Sequence, residues 1–279
     1  MGFSEFIRER QYLHNVTPAT LEWYKNSFRW LPSDSPSQTQ LNEVVIRMRE
    51  KGLKATGCNC VFRAINSYLH WSSRSSRKCG AGCTHPRISQ LKVPQTVLPT
   101  FAESQVRRLV TWKPKGKYPR RLHLLVLFLL DTGCRISEAL GVRVRDIDFN
   151  NLLVTLDGKG RKQRVVPFSF ELRRTMFGYC KDLGSDDLLF ASRTCTALGR
   201  RVVLRDVKLL CKELGFTPPA RTLHAFRHTF AVFYLRRGGS VFHLQKVLGH
   251  SSLEMTRRYA NLCTQDLQAV HERVSLLSK

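Results

Sequence analysis

Hydrophobic residues recur at intervals of three and four between Phe3 and Trp71, and this spacing predicts amphipathic helices. Thr17 followed by Pro18 is a typical helix start, because a proline in the first turn leaves no intrahelical hydrogen bond unmade. The apolar stripes are expected to pack as a core. They comprise Leu21, Tyr24, Phe28 and Leu31, then Leu41, Val44, Val45 and Met48, then Val61, Ala64, Ile65 and Tyr68.

Helical patterns resume after Thr100, and a short region of alternating hydrophobic and polar residues interrupts them, as is typical of strands. We predict helices at Ser104–Trp112 and Leu122–Asp131, and strands at Val144–Phe149, Leu152–Leu156 and Arg164–Phe168. From Phe170 onward the pattern is helical again, with breaks at Gly184, Pro218–Pro219 and Gly238–Gly239. The fold class is therefore mainly α with a small antiparallel β-sheet.

The segment Ser72–Thr100 differs from both halves, because it is small, polar and basic and is interrupted by three prolines, Pro86, Pro94 and Pro99. Such a composition is typical of a linker between domains. We accordingly place a helical domain at 1–90, a linker at 91–100 and a mixed domain at 101–279.

The charge of the chain points to a polyanionic partner. Lys and Arg number 46 against 21 Asp and Glu, a formal net charge of +25. A positive field of this size favours the phosphate backbone of nucleic acid as the partner. Since 42% of the residues are hydrophobic and 24% are charged, a disordered tail protein is disfavoured.

A membrane protein is not expected, because the longest apolar stretch, Leu122–Leu130, is too short to span a bilayer and contains His123. Nine cysteines, an odd number at dispersed spacings, favour reduced thiols in a cytoplasmic protein over a disulfide scaffold.

Two stretches could place a cation on a phosphate. In DTGCRISEAL, Arg135 follows Gly133 and precedes Glu138 by one helical turn, so the carboxylate can orient the guanidinium fork; a simple ion pair at a helix start is the alternative. In DGKGRKQ, Lys159 lies between two glycines at a hairpin tip, without the spacing of a P-loop. A lysine there can protonate a leaving oxygen or simply be solvated, and Lys162 is a rival for the role.

Two further stretches carry imidazoles and a phenol. In TLHAFRHTF, His224, Arg227 and His228 share one helix face. A HExxH zinc motif is not present, because Ala225 stands where that motif has an acidic residue. The remaining interpretations are a phosphate site and a structural pair of histidines. In LGHSSLEMTRRYANL, Tyr259 lies in a dibasic helix end that is an unusual place for a core residue. A straight helix would separate it from His250 by roughly 13 Å, so the two share a site only if the segment bends or if Tyr259 reaches another subunit.

Together these stretches resemble the four defining motifs of the tyrosine recombinase family, also called phage integrases, of the Xer-like site-specific type. The resemblance rests on Arg135, Lys159, His224, Arg227, His250 and Tyr259 in this order. It covers residues 100–265 closely and residues 1–95 more loosely. It implies an N-terminal all-helical, SAM-like core-binding domain and a mixed α/β catalytic domain that ends in an exchange helix, with the two domains forming a clamp around DNA. Cys134, where a larger apolar residue is commoner, and the stretch Cys79–His85 depart from the pattern.

The resemblance also implies a mechanism. Tyr259 would attack a DNA phosphate to form a 3′-phosphotyrosyl intermediate, without a cofactor, ATP or a divalent metal. Arg135, Arg227 and His250 would hold the phosphate oxygens, and Lys159 would protonate the leaving 5′-oxygen. His224 would accept or orient the tyrosine proton, with Glu138 and His228 in support.

The expected partners follow from the same resemblance. They are double-stranded DNA, a second protomer in a homodimer on one site, a homotetramer in the synaptic complex and, as an open question, an accessory DNA-bending protein. The protein would act at the nucleoid of a bacterium or be encoded by a mobile element. The expected DNA-binding residues are Lys54, Arg63, Arg74, Arg77, Lys78, Arg161, Lys162, Arg257 and Arg258.

Three alternatives remain open at this level. Cys79, Cys83 and His85, with Cys58 and Cys60 upstream, invite a zinc site, although their spacing departs from common zinc ribbons and no metal is expected. A type IB topoisomerase would share the chemistry but relax DNA instead of exchanging strands. A DNA-binding relative without catalysis is disfavoured, because a binder has no use for Tyr259 at this spacing.

Overall fold

The computed structural model describes residues 2–75, 86–94, 98–158, 163–250 and 252–260. The chain divides into two compact units, Met1–Thr96 and Val97–Lys279. Each unit has a hydrophobic core of its own, so each is described by itself.

The first unit is helical, as its apolar stripes predict. Thr17 caps the second helix by accepting a hydrogen bond from the backbone N–H of Thr20, and Ser37 and Gln40 form a reciprocal capping box at the third. The helices are α1 (Phe3–Tyr12), α2 (Pro18–Phe28), α3 (Gln38–Glu50) and α4 (Ala55–Ser75).

Aromatic rings form the centre of this unit. Phe6 of α1 is fully buried, and its ring contacts four others edge-on at centroid distances of 5.0 to 5.7 Å. Edge-to-face pairs of this kind add to the free energy gained by burying the rings. The four partners of Phe6 are Tyr24, Phe28, Tyr68 and Trp71.

Two asparagine side chains of α4 hold the segment 86–94 on this unit. The amide of Asn66 both donates to the carbonyl of Ile88 (2.8 Å) and accepts from its N–H (2.9 Å). Asn59 pairs in the same way with Leu91, at 2.9 and 2.8 Å. Such amide pairs replace the hydrogen bonds of a strand ladder, so the polar, proline-containing stretch is bound to the unit as far as Leu91.

The second unit is mainly helical with a three-stranded antiparallel sheet of order β1-β2-β3, which confirms the predicted fold class. Its strands are β1 (Ile147–Asp148), β2 (Leu153–Asp157) and β3 (Gln163–Pro167), with Val154 paired to both Ile147 and Val166. Its helices are α5 (Glu103–Thr111), α6 (Lys117–Thr132), α7 (Ile136–Ala139), α8 (Phe170–Cys180), α9 (Arg200–Glu213), α10 (Thr222–Arg236), α11 (Val241–Leu248) and α12 (Leu253–Ala260).

One predicted strand was too long. Val144–Asp146 is a 3₁₀ turn, and the strand begins only at Ile147. The carboxylate of Asp146 accepts a hydrogen bond from the backbone N–H of Arg143 (2.8 Å), which closes the turn. The alternation of hydrophobic and polar residues thus extends into Val144–Asp146, although the backbone there forms a local turn instead of pairing with another strand.

Helix α6 is the centre of the second core, and Leu124, Leu125, Val126, Phe128 and Leu129 are at most 1% exposed. This burial on several faces explains its long apolar run. Among the residues that the structure describes, no helix combines the length and the hydropathy needed to cross a membrane.

The residue that caps the C-terminus of α6 and of α11 is a glycine in the left-handed conformation: Gly133 (φ 60°) ends α6, and Gly249 (φ 64°) ends α11. Only glycine adopts this conformation without strain. At Gly133 a Cβ atom would also lie 2.2 Å from the ring of Phe230.

Gly133→Ala is expected to lower the free energy of unfolding of this unit by roughly 3 kcal/mol, because backbone strain and overpacking act together. Gly178→Ala is the matched control: this glycine lies in α8, and a Cβ atom there would meet no neighbouring atom within 4 Å. Gly178→Ala should raise the free energy of unfolding by about 0.5 to 1 kcal/mol, because alanine favours a helix interior over glycine. Urea denaturation measures both. Equal stabilities of the two variants would contradict the role given to Gly133.

Candidate active site

Arg135 stands at the N-cap of α7, directly after the turn that ends α6. The carboxylate of Glu138 accepts one hydrogen bond from the backbone N–H of Arg135 and another from its guanidinium, each 2.7 Å long. The Glu138 side chain is only 3% exposed, whereas that of Arg135 is 33% exposed. The predicted orientation of Arg135 by Glu138 is therefore present, and part of the guanidinium remains open to solvent.

Glu138 has a second partner, Arg164 of β3, which the sequence reading missed. Two guanidinium nitrogens of Arg164 donate to the two Glu138 oxygens at 2.8 and 2.7 Å. Burial alone would raise the pKa of Glu138, but hydrogen bonds from Arg164 and then Arg135 lower it to about 2. One signal could have revealed Arg164: it shares the inward face of a predicted strand with Val166, where a cation needs a partner.

Arg227 of α10 is buried, with 6% of its surface exposed. Its guanidinium donates to the carbonyl of Gly133 (3.2 Å) and to that of Leu248 (2.7 Å), at the C-terminal ends of α6 and α11. Helix C-termini carry partial negative charge and so stabilise a cation. Burial, followed by the charge of Arg135, lowers the pKa of Arg227 to about 10, so it remains protonated near neutrality.

The segment between His250 and Tyr259 bends, as a shared site requires. α11 ends at Leu248 and α12 begins only at Leu253, so no straight helix joins the two residues. Their rings lie 6.1 Å apart between centroids and are nearly parallel, at 6°. His250 Nδ1 also lies 2.9 Å from the hydroxyl of the buried Thr256, and this second contact helps to fix the imidazole.

Tyr259 is a core residue, and the expectation that its helix end is unusual for a core was wrong. It is 4% exposed and packs with Ala231, Val232, Leu244 and Leu248. Burial raises the pKa of the phenol, although the neighbouring charge of Arg227 acts in the opposite direction.

The phenol oxygen of Tyr259 lies 2.9 Å from Nδ1 of His228. Burial, followed by His224, lowers the pKa of His228 to about 4, and burial, followed by Arg227, lowers that of His250 to about 4. A neutral His228 can accept the phenol proton. The histidine within hydrogen-bond distance of the phenol hydroxyl is thus His228, whereas the family resemblance implied that His224 would accept or orient the tyrosine proton.

His224 is exposed at the start of α10. The part of its ring that the protein covers, followed by the charge of Arg200, lowers the pKa of His224, with smaller effects from Arg227, Arg221 and Arg135. The structure thus brings five of the six expected catalytic residues into one cluster: Arg135, His224, Arg227, His250 and Tyr259. Lys159, the sixth, lies outside the described residues.

The expected DNA-binding residues divide in the same way. Lys54, Arg63 and Arg74 are exposed, and the latter two, eleven residues apart on α4, share one helix face. Arg257 and Arg258 are exposed on α12. Arg77, Lys78, Arg161 and Lys162 lie outside the described residues, as do Cys79, Cys83 and His85. In the described ranges no group of three potential metal ligands comes together.

A buried phenol beside guanidinium and imidazole groups can attack a phosphodiester that these groups hold. This arrangement of groups, on a helical fold with a small antiparallel sheet, defines the class of tyrosine recombinases, enzymes that cleave and rejoin DNA. Residues 99–266 match the model of the phage integrase family. The chain therefore belongs to this family.

Similar proteins agree with this assignment. Tyrosine recombinase XerA of Pyrococcus furiosus is 28% identical over 245 residues, which cover 87% of this chain and 82% of the relative. Tyrosine recombinase XerC of Xanthomonas campestris pv. campestris is 26% identical over 279 residues, covering 96% and 86%. The Tn1549 transposon integrase, solved in complex with transposon right end DNA, shares the fold with a TM-score of 0.77 at 22% identity, covering 96% and 97%.

The free energy of unfolding should fall as the pH drops from 6.5 towards 4. In this window the folded protein keeps His228 and His250 neutral, whereas the unfolded chain protonates both, so protons favour unfolding. Urea denaturation across the window measures the slope. His228→Gln should make it shallower, and His243→Gln, at an exposed position of α11, should not. A slope that His228→Gln leaves unchanged would contradict the burial of a neutral imidazole.

Proposed function

We propose that this recombinase binds a specific double-stranded DNA site and exchanges strands through a covalent 3′-phosphotyrosyl bond to Tyr259. The observation that carries the proposal is the placement of the phenol, 2.9 Å from His228 and beside the guanidinium of Arg227. No ATP is required, because the phosphotyrosyl bond preserves the energy of the broken phosphodiester.

Arg135, Arg227 and His250 would hold the non-bridging oxygens, where negative charge builds in the transition state. A guanidinium has five N–H donors, and the two carbonyls that Arg227 contacts leave others for a phosphate. Arg135, one-third exposed, is likewise accessible to an anion. Nε2 of His250 is available to the phosphate, because the other ring nitrogen, Nδ1, contacts the hydroxyl of Thr256.

In the proposed cleavage step each proton that is released is taken up by a named group. His228 Nδ1 takes the phenol proton, the phenolate oxygen bonds to phosphorus, and the bond from phosphorus to the 5′-oxygen breaks. Lys159 gives its proton to that oxygen, which leaves as a 5′-hydroxyl. His224, exposed and close to the charges of Arg135 and Arg227, would contact the phosphate rather than the phenol.

DNA binding would use both units, the helical unit as a core-binding domain and the second as the catalytic domain, which together clamp the duplex. The complex of the similar Tn1549 integrase with transposon DNA supports this role. Since strand exchange joins two duplexes, we propose a homodimer on each site and a homotetramer at synapsis. The protein would act at the nucleoid of a bacterium or be encoded by a mobile element. A topoisomerase is disfavoured, because the curated relatives are recombinases.

Tyr259→Phe should still bind DNA but never become covalently attached to it. The probe is a duplex enriched by the wild-type protein from a random-sequence library and labelled at either end of one strand. After quenching in SDS, the 5′ label should stay with the wild-type protein and the 3′ label should be released, because the bond joins Tyr259 to a 3′-phosphate.

The matched control is Tyr234→Phe, a partly buried tyrosine of α10, which should form the adduct as the wild type does. An SDS-resistant adduct of Tyr259→Phe would show that another residue is the nucleophile. Retention of the 3′ label would reverse the assigned polarity.

DNA affinity should fall steeply with salt, and Arg63→Gln and Arg74→Gln should each reduce the slope of log K against log salt by about 0.9. Arg49→Gln, whose guanidinium already donates to the carbonyl of Leu53 at 2.7 Å, is the control and should leave the slope unchanged. Fluorescence anisotropy of the same duplex at several salt concentrations measures this. If both arginine variants keep the wild-type slope, α4 is not part of the DNA interface.

A further inference from the structure

One arginine outside the expected catalytic set joins three segments of the site. Arg164 extends from β3, and its guanidinium forms a fork-to-fork pair with Glu138 of α7. The remaining nitrogen, Nε, donates to the carbonyl of Val247 in the last turn of α11, at 2.9 Å. The side chain is only 13% exposed, so these contacts are shielded from water.

The pair with Glu138 determines where the carboxylate lies, and through it where Arg135 lies. Glu138 is 3% exposed and receives hydrogen bonds from both guanidinium groups. Without Arg164 the buried carboxylate would keep Arg135 as its one charged partner among these contacts. An under-compensated buried charge is unfavourable. Arg135, already 2.7 Å from Glu138, would therefore shift to replace the contacts of Arg164 and would move away from an incoming phosphate.

The contact of Arg164 with α11 links it to the guanidinium group of Arg227. Arg164 binds the carbonyl of Val247, and Arg227 binds the next carbonyl along the chain, that of Leu248. Gly249 then packs directly on Arg164, since a Cβ atom there would lie 3.0 Å from Arg164 Cδ. Arg164 therefore supports the turn that both anchors Arg227 and leads into His250.

We propose that Arg164 is a positioning residue that sets the places of both Arg135 and Arg227, the first through Glu138 and the second through the C-terminal end of α11. The inference rests on the proposed function, in which these two guanidinium groups hold the scissile phosphate. Arg164 itself acts through other side chains and carbonyls. Lysine cannot replace it, because an ammonium group cannot form the planar two-point pair.

The first test is made without DNA. In the whole protein, the side-chain Nε–H signals of Arg135 and Arg227 are assigned by nuclear magnetic resonance and compared among variants. Arg164→Lys should shift both signals. The matched control is Arg173→Lys: this half-buried arginine of α8 donates to the carbonyl of Phe149 at 2.7 Å, so its replacement should shift neither. Unchanged signals in folded Arg164→Lys would overturn the proposal.

The second test separates positioning from mere stability. With the labelled duplex described above, Arg164→Lys should form the covalent adduct roughly 100-fold more slowly, the effect of a misplacement of about 1 Å. Its DNA dissociation constant and its circular dichroism at the assay temperature should stay near the wild-type values. Arg173→Lys should react at the wild-type rate. A wild-type rate in Arg164→Lys would overturn the proposal.

A double variant tests the route through Glu138. If Arg164 acts on Arg135 through Glu138, Arg164→Lys should slow adduct formation less in a Glu138→Gln background than in the wild type. Equal fold losses in the two backgrounds would remove Glu138 from the route. Should the wild-type protein form no adduct at all, the proposed function fails instead, and the magnetic resonance comparison alone decides whether Arg164 positions the two arginines.

Discussion

The site depends on how three arginines are held close together with a single carboxylate between them. Arg135 and Arg164 share Glu138, whereas Arg227 has no carboxylate among its described contacts and is held by carbonyls at the ends of α6 and α11. Partial charges at helix ends offset part of a full charge but not all of it. The cluster therefore keeps a positive excess that an anion can neutralise, and the left-handed glycines Gly133 and Gly249 supply the turns that aim the carbonyls.

The same positive excess determines the state of the imidazoles. Burial is the main cause of the low pKa values of His228 and His250, and the nearby guanidinium groups lower them further. A neutral imidazole is a proton acceptor, which His228 must be if it is to receive the phenol proton of Tyr259. The arginines thus serve both the binding of an anion and the protonation state that phosphoryl chemistry requires.

Local spacing predicts contacts within one helical turn, and the family resemblance predicts which distant motifs meet, but neither predicts the individual hydrogen bonds between distant segments. Arg135 and Glu138, three residues apart, pair as the helical spacing requires. The partner of Arg164 lies twenty-six residues away on another element, so no local spacing reveals it. Backbone carbonyls have no side-chain signature, so the anchoring of Arg227 was also invisible. The burial of Tyr259 was missed because the two residues before it, Arg257 and Arg258, are exposed and mask the apolar face of α12.

The charge of Arg227 acts on both the buried phenol of Tyr259 and its histidine partner, His228. In the free protein the charges of Arg227 and Arg135 lower the pKa of His250, and Arg227 also lowers that of His228. In the proposed reaction a phosphodiester anion lies against these guanidinium groups and offsets their field. By Coulomb's law the pKa of His228 then rises, which makes the imidazole a stronger base. The pKa of the Tyr259 phenol rises as well, because the charge of Arg227 lowers it in the free protein. A free phenolate is therefore not favoured beside the bound phosphate, so we expect the proton to move to His228 as the phenol oxygen bonds to phosphorus. Without substrate the phenol remains protonated within the core, since burial raises its pKa.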